Sequence, residues 1–154
     1  MSKTTSAHIF PLNYYYCKRQ RKCIGYYGLV GKKRNGTFCL IGGMKDSIDR
    51  NKVDTAERET LEEIKISIKV DPSSENDCHG SSVFFMNGNG WSTTEINKLI
   101  REETRSGYQY HEIVEVDWMR IDDKISLMYN PGEESKISNF ARTARNQSRK
   151  KIGL

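Results

Sequence analysis

Three glutamates crowd one end of a single predicted helix, and that crowding constrains the chain more than any other feature. Residues 55–63, ThrAlaGluArgGluThrLeuGluGlu, read as helix. At about 100° per residue Glu59, Glu62 and Glu63 share one narrow face, while Val53, Ala56, Leu61 and Ile64 share another. One face is expected to pack and the other to concentrate negative charge. Carboxylates at i, i+3 and i+4 repel on a bare helix, so the cluster costs stability unless a cation compensates it. Hard divalent ions such as Mg²⁺ or Mn²⁺ prefer an oxygen-rich environment of this kind. A solvated acidic face is the bland alternative, and the residues ahead of the helix weigh against it. Gly42 and Gly43 follow the apolar run Phe38 to Ile41, as a strand ending in a turn that admits close backbone approach. The intervening loop lets a glycine carbonyl and the helix carboxylates meet at one ion.

The stretch from Gly43 to Ile66 resembles the box of the Nudix hydrolases, G-x5-E-x7-R-E-U-x-E-E-x-G-U, where U is a bulky apolar residue. Gly43 stands at the first glycine, and Asp49 stands where the family has glutamate. Arg58, Glu59, Glu62 and Glu63 match the core once an extra residue is admitted between Asp49 and Arg58. Thr60 replaces the bulky apolar residue, and Lys65 replaces the late glycine. The resemblance implies an α/β fold, a mixed β-sheet sandwiched between helices, and hydrolysis of a phosphoanhydride with Mg²⁺ or Mn²⁺. It also implies that Glu62, Glu63 and the Gly43 carbonyl hold metal and that Glu59 is a further ligand or helps to activate water. Arg58 would orient the carboxylates by charge-assisted hydrogen bonds. In some members the general base comes from a later loop. Glu102, Glu103 and Glu112 are the candidates here, and Glu112 is preferred because it opens a strand whose partner end should face the site.

With 154 residues, the chain is long enough for one domain burying about two thirds of its unfolded surface, and a single domain, 1–154, is expected. Residues 8–17 and 23–33 are β-rich and form a hairpin across the charged link KRQRK. Lys32 to Gly36 signals a turn, and residues 37–41 return as a short strand. After the helix, Ile66 to Val70 alternates as a half-buried strand should, and residues 71–82 read as a polar loop. Residues 82–86 form a buried strand. Ser92 and Glu95 make a capping box for a helix to about Arg105. His111 to Ile121 alternates as a strand, with Ile113, Glu115 and Asp117 opposite Val114, Val116 and Trp118. A basic helix and tail begin near Glu133 and carry Ile137 and Phe140 inward. The order βββαββαβα suggests a mixed sheet between helices.

Cys17, Cys23, Cys39 and Cys78 have neither zinc-ligand spacing nor scaffold density and are expected as free thiols. His8, His79 and His111 are scattered and read as structural or surface residues. No apolar run is long enough for a membrane span and the N-terminus lacks a secretory core, so a cytoplasmic protein is expected.

A net charge of +5 asks for an acidic partner: a phosphorylated small molecule such as a nucleotide, or RNA. Basic residues cluster at 18–22, at Lys32, Lys33 and Arg34, and along Arg142, Arg145, Arg149, Lys150 and Lys151. Nearby tyrosines including Tyr27 offer stacking surfaces. Lys32, Lys33, Arg34, Tyr27 and Phe85 are the substrate-binding candidates. Three readings stand at this point. The first is a hydrolase of a nucleoside diphosphate derivative or dinucleoside polyphosphate, the second an RNA 5′-end or cap hydrolase, and the third a non-catalytic module binding nucleotide or nucleic acid.

Overall fold

Apolar residues on both sides of the first strand mark it as central: Ala7 and Ile9 point one way, Phe10 and Leu12 the other, and all four are fully buried. A run buried on both faces is the pattern of an inner strand. The computed structural model describes residues 6–17, 19–78, 81–88, 90–105 and 113–121, with the backbone alone at 14–17, 22–26, 78, 104 and 105. Its strands are β1 (Ser6–Cys17), β2 (Lys22–Lys33), β3 (Phe38–Cys39), β4 (Ile41–Met44), β5 (Glu75–Cys78), β6 (Ser81–Asn87) and β7 (Ile113–Arg120). The helices are α1 (Lys52–Ile64) and α2 (Thr93–Arg105).

The sheet is mixed. On one side β1 pairs in parallel with β6, which carries β5 at its outer edge. On the other side it pairs antiparallel with two strands in succession, β4 along Ser6–Ile9 and β2 along Leu12–Cys17. Strands β1 and β2 therefore part beyond the Leu12 and Gly28 pair, and β3 with β4 fills the wedge, β3 lying against Gly31 and Lys32. This wedge delivers Gly42 opposite His8 and Gly43 opposite Ala7, inside the sheet. Strand β7 lines the free edge of β2.

Both helices contribute to one core cluster. Ala56 and Ile64 of α1 and Ile96 and Ile100 of α2 join Ala7, Ile9, Leu29, Ile41, Phe84, Ile113 and Val116. Each fully buried aliphatic side chain contributes roughly 2 kcal/mol of transfer free energy. A second cluster of Phe10, Leu12, Val30, Val83, Phe85 and Ile121 contains no residue of α1 or α2. No helix among the described residues is long and apolar enough to cross a membrane.

The structure departs from the sequence expectations in four places. Residues 66–70 form no ladder; their alternation is real, with Ile66 and Ile68 against the core and Val70 buried, but the Val70 N–H donates to the Glu57 carboxylate (3.1 Å) instead of to a strand. The polar segment expected as a loop holds a short 3₁₀ turn at Pro72–Ser74 and the edge strand β5. Leu61 is 48 % exposed, because the buried stripe of α1 runs through Ala56, Thr60 and Ile64, one i+4 row, and Leu61 lies about 100° away from it. In β7 the ladder slips between Lys32 and Lys33, so that Lys33 faces Ile113 and Lys32 faces Glu115. Val114 becomes the extra residue of a bulge, and Ile113 joins Val116 and Trp118 at the first cluster. The helix expected from Glu133 onward lies outside the described residues.

Candidate active site

The loop from β4 to α1 is organised by one buried carboxylate. Asp49 is 5 % exposed and accepts four hydrogen bonds: from Arg58 Nε and Nη2 (both 2.9 Å), from Thr55 Oγ1 (3.0 Å) and from the Asp46 N–H (2.8 Å). The guanidinium binds both carboxylate oxygens at once, the geometry in which arginine is strongest. Its hydrogen bonds hold the Asp49 carboxyl far below the usual carboxylate range, outweighing the opposing effect of burial. Asn51 starts α1 by accepting from the Asp54 N–H (2.9 Å), which satisfies one of the orphan donors of a helix N-terminus.

Arg58 then reaches across the helix. Its Nη2 donates to the Met44 carbonyl (3.1 Å), and its Nη1 donates to Glu59 (3.2 Å) and to both oxygens of Glu62 (3.2 and 3.3 Å). The guanidinium thus ties β4, the loop and the carboxylate face together. Glu63 accepts from the Gly42 N–H (3.2 Å). Gly43 faces Glu59: a Cβ built there would lie 2.5 Å from the Glu59 carboxyl carbon, so only glycine leaves the carboxylate where it is. Burial pushes the Glu59 carboxyl above its ordinary value; Arg58 opposes the shift and the Glu62 charge reinforces it. A desolvated carboxylate beside a second carboxylate is what an added cation relieves.

The donor set is all oxygen, as a hard divalent cation requires. Glu59, Glu62, Glu63 and the backbone at Gly43 lie along one strand–helix seam. No three His, Cys, Asp or Glu side chains among the described residues converge closely enough to hold an ion as they stand. Glu62 is the adjustable member: its side chain is 56 % exposed and its described hydrogen bonds are to one arginine. Donor chemistry and the Gly43 cradle fit a divalent ion.

Each departure from the family box is accommodated locally. Asp49 is a methylene shorter than glutamate, and with the extra residue before Arg58 it still meets the guanidinium with both oxygens. Thr60 is fully buried and donates its hydroxyl to the Ala56 carbonyl (2.6 Å), so no polar atom is stranded. Lys65, at the glycine position, adopts the left-handed conformation at φ 64° and closes the helix with its N–H on the Leu61 carbonyl (3.1 Å).

The substrate-binding candidates make their described contacts with other residues. Phe85 is 1 % exposed, packed edge-on against Phe10 with ring centres 6.2 Å apart, and presents no surface to a substrate. Tyr27 is half-buried in β2 between Asn13 and Arg120. Lys32 pairs across strands with Glu115 at 3.2 Å, the Lys33 N–H donates to the Thr37 carbonyl, and Arg34 is exposed in the following turn. The β1–β2 turn bearing Arg19 and Arg21 follows Cys17, and Gly42 pairs with His8. Nine steps along a strand at about 3.3 Å each separate the two ends by roughly 30 Å. Of the later carboxylates, Glu102 is exposed on α2, Glu103 pairs with Lys65, and Glu112 lies outside the described residues. So does the basic segment 142–151.

Sequence reasoning had no signal for Thr55 as an Asp49 partner or for Gly42 as the donor to Glu63, because both depend on how the loop folds back. It missed the Lys65 side chain, although a basic residue in the last turn of a helix is a known favourable placement.

No family model matches the sequence, and no curated protein is significantly similar to it. Solved structures do share its fold. An Ap4A hydrolase of C. elegans in a binary complex superposes with a TM-score of 0.52 at 15 % identity, over 93 % of this chain and 98 % of that one. A protein of Listeria monocytogenes described as a putative NUDIX hydrolase gives 0.52 at 15 %, over 93 % and 95 %. NrtR of Shewanella oneidensis gives 0.51 at 14 %, over 96 % of this chain and 64 % of that one. The mixed sheet and the two helices among the described residues match the α/β/α sandwich fold of these neighbours.

Proposed function

We propose that the chain is a divalent-metal-dependent hydrolase of the Nudix type, cleaving a phosphoanhydride bond in a nucleoside diphosphate derivative or dinucleoside polyphosphate. The observation that carries this reading is the Glu59 carboxylate, desolvated against Gly43 with Glu62 and Glu63 on the same helix end. Such an arrangement costs folding energy that an acidic surface face would not.

Glu59, Glu62, Glu63 and the Gly43 carbonyl would hold Mg²⁺ or Mn²⁺. When bound, the ion screens phosphate charge and lowers the pKa of water, the nucleophile of the reaction. The protein's own contribution is preorganisation. Asp49 fixes Arg58, and Arg58 fixes Glu59 and Glu62 relative to β4, so little reorganisation is left for the moment of reaction. Glu59, facing Gly43, is either the further ligand or the group that helps to activate water. Dinucleoside polyphosphates, the class of the C. elegans neighbour's Ap4A, head the substrate list. Capped RNA ranks lower because the Arg19–Arg21 turn is remote from the seam. A screen of dinucleoside polyphosphates, nucleoside diphosphate derivatives and capped RNA, each with Mg²⁺, with Mn²⁺ and with chelator, tests the reading. Metal-dependent release of nucleotide products is expected, and no turnover of any of them contradicts it.

A further inference from the structure

Lys65 stands where the backbone favours glycine. Its φ of 64° is left-handed, a conformation disfavoured for an L-residue with a Cβ and one that helices most often give to glycine at this position. The side chain is folded back onto the helix it ends. Its ammonium donates to the Glu62 carbonyl and forms an ion pair with Glu103 of α2. The Lys65 and Glu103 side chains are 21 % and 26 % exposed, so the pair is largely withdrawn from water. The ammonium therefore sits on the backbone of Glu62 itself, at the C-terminal end of the carboxylate face. Arg58 holds the other flank of the same face through Asp49.

We propose that Lys65 is a positioning residue whose fixed positive charge, held by Glu103 and the Glu62 carbonyl, acts as a resident counter-ion of the Glu59–Glu62–Glu63 face and sets how tightly that face takes a divalent cation. The inference rests on the metal reading above. A strained backbone position is tolerated because the ammonium offsets carboxylate repulsion in the metal-free protein. The same charge opposes an incoming Mn²⁺ or Mg²⁺. Glu103 moderates it, since a carboxylate beside the ammonium reduces the positive field felt at Glu62.

This makes the two halves of one ion pair act with opposite sign. Mn²⁺ affinity is measured from the free-ion resonance signal for wild type, Lys65→Gly, Lys65→Met, Lys65→Arg and Glu103→Gln, with melting curves showing that each variant is folded. Lys65→Gly and Lys65→Met are expected to tighten Mn²⁺ binding by about threefold, the scale of one screened charge at several ångströms. Glu103→Gln should weaken it by a similar factor, and Lys65→Arg should stay near wild type. The shifts should shrink in high salt. Lys65→Met keeps the left-handed strain and Lys65→Gly removes it, so agreement between them assigns the effect to charge. A shift in the same direction for Lys65→Gly and Glu103→Gln, which a mere brace between α1 and α2 would give, overturns the inference, as does no shift. Absence of Mn²⁺ binding by wild type overturns the metal reading along with it.

Discussion

The two ends of α1 use the same residue types for opposite purposes. At the N-terminal end Asp49 is buried and accepts four hydrogen bonds, and the arginine that supplies two of them is clamped in turn. At the C-terminal end Glu62 is more than half exposed, Glu59 is partly buried without enough positive charge to restore its ordinary pKa, and Lys65 holds a backbone carbonyl and Glu103 instead of a ligand carboxylate. A carboxylate with its acceptor sites filled fixes a loop. A carboxylate with capacity left binds something else. Charge count alone does not separate the two ends; hydrogen-bond saturation does.

The sharpest break of this contrast is in activity. Glu62→Gln or Glu63→Gln is expected to lower hydrolysis by at least about a hundredfold, a barrier increase near 2.7 kcal/mol, while the metal-free fold keeps or gains heat stability because repulsion is relieved. Turnover and melting temperature assayed side by side check both halves. Activity within about threefold of wild type contradicts the assignment.

Asp49 should behave the other way round. Asp49→Ala removes two hydrogen bonds of Arg58 and one each of the Thr55 hydroxyl and the Asp46 N–H, and a fall in melting temperature of roughly 10 °C is expected, with activity lost as a consequence. The Asp49 contribution also has a defined pH dependence. Its folded pKa is depressed by Arg58, so the stability it supplies is present above the unfolded value near 3.9 and is lost as pH falls through the folded one. The stability gap between wild type and Asp49→Asn, measured by denaturant titration, should be constant at neutral pH and close on acidification below about pH 4. Glu59 has the opposite sign: its folded pKa is raised by burial, so its contribution is fullest below the unfolded value and falls as pH rises through the folded one.

The glycine pair offers a smaller and more local contrast. Gly42 has φ 151°, and a Cβ there would lie 2.3 Å from the Ala7 carbonyl oxygen and 2.5 Å from His8 Cα, all backbone of the central strand. A Cβ at Gly43 meets the movable end of Glu59. Gly42→Ala is therefore expected to destabilise by about 2–3 kcal/mol, and Gly43→Ala by less than about 1 kcal/mol while turnover falls as Glu59 is displaced. Denaturation and kinetics on the pair check it. Smallest of all is the stability change in Lys65→Gly, within about 1 kcal/mol either way, because relief of left-handed strain is offset by the lost ion pair and the greater freedom of glycine in the unfolded chain.

Much of this was legible from residue spacing. The carboxylate face of α1, the strand before it, the glycine pair and the Ser92 start of α2 follow from periodicity and from local cap and turn chemistry, which are short-range properties. What escaped depends on contacts distant in sequence. Alternation over 66–70 records half-burial, not ladder pairing, so Ile66 to Val70 looked like a strand while the polar Glu75–Cys78 formed one at the sheet edge. Thr60 packs inward in place of Leu61 because the helix is rotated by its contacts with β4 and β1, which no single-helix pattern encodes. Phe85 looked available to a substrate because sequence does not tell which face of β6 is covered.

The central claim is that the carboxylate end of α1 is a divalent-cation site. Its most direct test is the melting temperature of wild type, Glu59→Gln, Glu62→Gln and Glu63→Gln across a Mg²⁺ and a Mn²⁺ titration. An ion that binds only the folded state at a hundred times its dissociation constant stabilises by about 2.7 kcal/mol, or roughly 5–10 °C for a chain of this size. A rise of that order in wild type, blunted in each glutamine variant, is expected. A wild-type melting temperature that does not move with either ion, with or without nucleotide, contradicts the account.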